Sequence, residues 1–101
     1  MAERTSSVNA DGIYEPFAVD AVPWKESSKG NRFACRFRQL GAFGGGSHVG
    51  VIMEELPPGK QSNIVHYHML EEEHVLVLEG AMTLRLGGKS YDLSAGDYVC
   101  F

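Results

Sequence analysis

The stretch His66-Tyr67-His68, followed by Glu71-Glu72-Glu73-His74, is where ligating side chains gather most densely in this sequence. Imidazole and carboxylate are donors that hold divalent first-row metals. In a β-strand, residues i and i+2 share a face, about 6.5–7 Å apart along the chain. His66 and His68 can therefore aim two rings at one point. Glu73 opens the next strand in this reading, and an antiparallel return sets its carboxylate beside them. Two neutral imidazoles and one carboxylate form a facial set with open positions, suited to Fe(II), Mn(II), Ni(II) or Zn(II). A structural reading also stands: the histidines pack in a strand, and the glutamates form a solvated turn.

The neighbours divide by strand parity. Tyr67 points opposite to His66 and His68, towards packing. His74 has opposite parity to Glu73 and faces away from the metal, and it stands as an alternative ligand. Glu72 takes the place of Glu73 if the strand starts one residue earlier. Glu71 reads as solvated, and Glu79, next to a turn glycine, as structural. Arg32, Arg36 and Arg38 share a face and, with Arg85, could grip a phosphate or carboxylate; a solvated face is the simpler reading. Lys60 could act similarly. His48 reads as a surface residue. Gly41 to Ser47 lacks the spacing of a phosphate loop. No Ser-His-Asp or Cys-His arrangement is suggested, and Cys100 lies in an apolar strand, where a thiol is inert.

The elements that must position these residues read as β. Phe33, Cys35 and Phe37 alternate with Ala34, Arg36 and Arg38. Strands are expected over His48–Leu56, closed by Pro57-Pro58-Gly59, and over Asn63–His68, Glu73–Leu78 and Ala81–Leu86. Gly87-Gly88 predicts a tight hairpin into Ser90–Leu93, and Ser94–Asp97 turns into a last strand, Tyr98–Phe101. No segment beyond about ten residues has a 3.6 period, and short strands between Gly and Pro turns indicate a sandwich or barrel. Residues 1–12 read as a loose arm. Ile13–Trp24, with Pro16 and Pro23, reads as extended along a sheet edge, and Lys25–Asn31 as a polar turn. The expected division is an extended arm over 1–31 and a β-domain over 32–101.

Composition sets the outer limits. The 101 residues are 44% hydrophobic and 22% charged, which accommodates one domain. A net charge of −4 argues against a basic nucleic-acid footprint. No apolar run approaches the roughly 20 residues of a membrane helix. The two cysteines, Cys35 and Cys100, lie far apart with no CxxC, so both read as buried thiols in a reducing compartment. The start of the chain has no apolar signal core, which makes the cytoplasm the default location.

Gly59, His66, His68, Glu73 and Gly80 together resemble the first motif of the cupin family. Four residues separate His68 from Glu73 and six separate Glu73 from Gly80, as in that motif; six rather than five separate Gly59 from His66. The resemblance covers roughly residues 32 to 101. It implies an all-β, cupin-type small β-barrel or jelly roll in which His66, His68 and Glu73 bind a divalent metal ion (Zn, Fe, Mn or Ni). Gly96 resembles the first glycine of the second motif, whose Pro, second Gly and ligand His would fall beyond Phe101. The barrel is therefore expected to be incomplete at its C-terminus, with the natural chain continuing; completion by a partner chain and a poorly folding remnant are the alternatives. The motif style resembles single-domain cupins of the sugar-phosphate isomerase-like kind. That implies a metal-dependent enzyme on a small polar metabolite, with Glu72 as a candidate base and a homodimer as the expected assembly. An Fe(II) dioxygenase and a non-catalytic ligand-binding or regulatory cupin are the competing readings, and neither nucleic acid nor membrane is an expected partner.

Overall fold

A computed structural model describes residues 6–62 and 72–101. Its regular elements are β1 (Trp24–Lys29), β2 (Phe33–Gln39), a single helical turn α1 (Leu40–Phe43), β3 (Ile52–Glu55), β4 (His74–Leu76), β5 (Ala81–Leu86), β6 (Lys89–Ser94) and β7 (Tyr98–Cys100), with a short 3-10 turn at Val19–Ala21. The chain is thus all-β, as its alternating pattern predicts. Among the described residues the strands form a three-stranded sheet, β1-β2-β3, and two separate pairs, β4-β7 and β5-β6. Among the described residues each of these ladders is an open sheet. The chain divides into two compact units, Met1–Asn63 and Ile64–Phe101.

In the first unit, β2 runs antiparallel to both β1 and β3. Trp24 lies opposite Arg38 in the β1-β2 ladder, and the guanidinium carbons of Arg36 and Arg38 stand 4.2 and 4.1 Å from the Trp24 ring centroid. Arg38 also donates to the carbonyls of Val19 (3.1 Å) and Val22 (2.9 Å). Arg36 pairs with Glu55 of β3 at 2.9 Å. Two of the three grouped arginines therefore brace this sheet. Arg32 bonds Gln61 through its side chain, and the Lys60 ammonium donates to the Asn31 carbonyl.

Several expectations change here. Lys25–Asn31 is not simply a polar turn, because Trp24–Lys29 is a strand. Only Trp24 in it is less than exposed, so its sequence carries no apolar alternation, and the ladder to β2 supplies the order. That ladder crosses the boundary drawn at residue 31. The β3 strand occupies only Ile52–Glu55, while His48 sits in an exposed bend. Gly41–Ser47 begins inside α1, whose Phe43 is buried and packs tilted against Phe17, ring centroids 4.8 Å apart. Part of the expected loose arm is pinned. Ser7 donates its amide to Phe43 O at 2.8 Å, and the Asn9 carboxamide accepts from the amides of Asp11 and Ile13.

In the second unit, β5 and β6 form the predicted hairpin, with Leu86 opposite Lys89. Gly87 and Gly88 both have positive φ, 59° and 79°, which this two-residue turn requires. Met82, Leu84 and Leu86 alternate with exposed residues as expected. The strand expected over Glu73–Leu78 is regular at His74–Leu76, and that expected over Asn63–His68 lies outside the described residues. β4 and β7 are antiparallel, with His74 opposite Cys100, Val75 opposite Val99 and Leu76 opposite Tyr98. Val77 is buried beyond the end of β4 and is clamped by bonds to Asp97 O (3.0 Å) and from Gly96 N (2.8 Å).

Candidate metal centre

Glu73 stands at the head of β4, where its amide donates to Phe101 O at 2.7 Å and its carbonyl accepts from Phe101 N at 2.9 Å. These bonds fix its backbone and hence the side to which its carboxylate projects. Strand parity puts Glu73 with Val75 and Val77. All three are half-buried or buried, whereas Glu72, His74 and Leu76 are exposed. His66 and His68 themselves, with Tyr67 and Glu71, lie outside the described residues.

The opposite face of the same strand pair carries a second group of donors. Glu72 Oε1 is 3.0 Å from His74 Nε2. Cys100 Sγ, across the β4-β7 ladder, is 3.5 Å from Glu72 Oε1 and 3.5 Å from His74 Nε2. His74 Nδ1 bonds the Tyr98 hydroxyl. The hydrogen bond from His74, then that from Cys100, holds the Glu72 carboxyl below its ordinary range. Desolvation, and then the hydrogen bond and charge of Glu72, push the Cys100 thiol above its own.

Sequence reasoning places His74 opposite in parity to Glu73, and the strand has it so. It does not anticipate that Glu72, His74 and Cys100 meet. It also expects both thiols to be buried, but Cys35 is half-buried and Cys100 is exposed. In β7 the apolar residue that turns inward is Val99, and its neighbours Tyr98 and Cys100 face out. The available sequence signal was period-2 parity around Val99; the register that brings Cys100 to His74 is long-range. Cys35 lies beside Glu54 in a shallow groove with Phe37 and Ile52, and desolvation, then Glu54, raises its pKa as well.

Short antiparallel strands joined by glycine turns, with almost no helix, make the described residues those of an all-β domain. Residues 52–101 match the family model described as Cupin domain, which supports placing the chain in the cupin superfamily. Comparison with curated proteins gave no match, and comparison with solved structures gave none. Among the described residues no helix is long and apolar enough to cross a membrane.

Proposed function

We infer that this chain is a metal-binding cupin that acts on a small polar metabolite, with His66, His68 and Glu73 holding one divalent ion. The observation that carries the reading is the position of Glu73: inside the cupin match, half-buried, on the side of β4 shared with Val75 and Val77. Two imidazoles and a carboxylate leave coordination positions open for a substrate. A metal bound there would supply Lewis-acid polarisation of a carbonyl or hydroxyl oxygen. The chain's own part is positional. The paired bonds to Phe101 hold the Glu73 backbone, and Val75 and Val77 line the same face. The substrate class that the motif style favours is a sugar phosphate undergoing aldose–ketose interconversion. Glu72 belongs to the exposed face and has no assigned part at this centre.

The test is metal analysis and turnover on the whole chain, purified without a metal-affinity tag. Bound divalent metal that falls by one equivalent in His66→Ala/His68→Ala, with aldose–ketose conversion lost in parallel, is the expected result. Metal content unchanged in that variant overturns the ligand assignment. Bound metal without turnover of any sugar phosphate overturns the isomerase reading and favours a ligand-binding cupin.

A further inference from the structure

We propose that Glu72, His74 and Cys100 form a second metal site, a thiolate-containing zinc-type site on the outer face of the β4-β7 pair. One nitrogen, one oxygen and one sulfur donor lie mutually within 4.8 Å. For tetrahedral zinc with ordinary bond lengths, donor separations should be about 3.3 Å between nitrogen and oxygen and about 3.5 Å to sulfur. The separations here are 3.0, 3.5 and 3.5 Å. One ion therefore fits the triangle with only a small outward shift of the Glu72 carboxylate.

The surroundings match what such a site requires. The ring nitrogen remote from the site, Nδ1, is engaged by the Tyr98 hydroxyl. With the proton on Nδ1, donated to Tyr98, Nε2 presents its lone pair to the metal, the usual orienting arrangement for a ligating histidine. The β4-β7 register sets His74 directly opposite Cys100, so the ladder fixes two donors in place before any ion arrives. The side chains of His74 and Glu72 are 48% and 75% exposed, which leaves an entry path and a fourth position for water. Coordination replaces the thiol proton, which passes to solvent. A donor set with sulfur selects zinc-like ions over the hard cations magnesium and calcium.

This site does not rest on the His66/His68/Glu73 centre, since the parity of β4 sends Glu73 to the other face. Cobalt(II) separates the two, because only the Cys100 site gives a thiolate-to-cobalt charge-transfer band in the near ultraviolet. Titration of the reduced whole chain is expected to show that band saturating by two added equivalents, one for each donor set. Cys100→Ser abolishes it, whereas Cys35→Ser and His66→Ala/His68→Ala leave it in place. Tyr98→Phe, which removes the orienting bond, weakens cobalt affinity by about tenfold. No thiolate band in the wild-type chain, or a band that survives Cys100→Ser, overturns the proposal. Should Cys100→Ser fail to fold, the wild-type thiol decides. Zinc is expected to slow modification of Cys100 by a disulfide reagent by about tenfold or more, and an unchanged rate overturns the site.

Discussion

Arg38 illustrates how one side chain can tie three segments. Its guanidinium lies 4.1 Å from the Trp24 ring centroid, and one of its nitrogens donates to both Val19 O and Val22 O. Its side chain is only 13% exposed, so a replacement leaves those acceptors short of a donor. Arg38→Ala is expected to cost about 1–3 kcal/mol in a denaturant titration. Arg38→Lys is expected to recover little of that, since a single ammonium lacks the planar fork and its stacking on tryptophan. Glu55 gives the pH-dependent case. The hydrogen bond from Arg36 holds its carboxyl below the ordinary range. A carboxyl with a depressed folded pKa stabilises the fold above the unfolded value, about 4.3. That contribution is lost as pH falls through the folded value. Both partners are exposed, so the effect is small. The melting-temperature gap between wild type and Glu55→Gln should be open at pH 7 and shrink below about pH 4. A gap that stays constant across that range would show the pair contributes nothing through charge.

At the scale of elements, the passage from α1 to β3 depends on a close backbone approach. A Cβ added at Gly41 would sit 3.0 Å from both Val49 O and Val51 N, and backbone atoms cannot swing aside. Gly41→Ala is therefore expected to destabilise the chain by about 1–3 kcal/mol. Gly50→Ala meets nothing within 4 Å and should stay within about 0.5 kcal/mol of wild type. Equal effects in thermal unfolding would refute the packing argument. The same elements mark what was legible in sequence. The β5-β6 hairpin could be read because Met82, Leu84 and Leu86 alternate locally and two glycines mark the turn. β1 could not, because a polar edge strand is ordered by its ladder to β2 rather than by its own composition. Glu73 was legible as a ligand candidate from its spacing to His66 and His68. The company of Cys100 was not: its contact with His74 depends on pairing across 26 residues, which no local pattern encodes.

For the molecule as a whole, every donor assigned here falls in the segment Ile64–Phe101, the second of its two compact units. Metal binding should therefore act on one part of the chain. Each ion that binds only the folded state adds about 2.7 kcal/mol when its free concentration is a hundredfold above Kd. With zinc, bound metal is expected to reach two equivalents in the wild type. It should reach one in Cys100→Ser and one in His66→Ala/His68→Ala. Hydrogen exchange gives the spatial readout, since the amides of His74–Leu76 and Tyr98–Cys100 form the ladder that carries His74 and Cys100. Zinc should slow exchange most at those amides, and less in β1, β2 and β3, whose residues supply no ligand. Cys100→Ser should remove part of that protection, and the double histidine variant the rest. Protection spread evenly over both units would mean that the metal stabilises the chain through something other than these two donor sets.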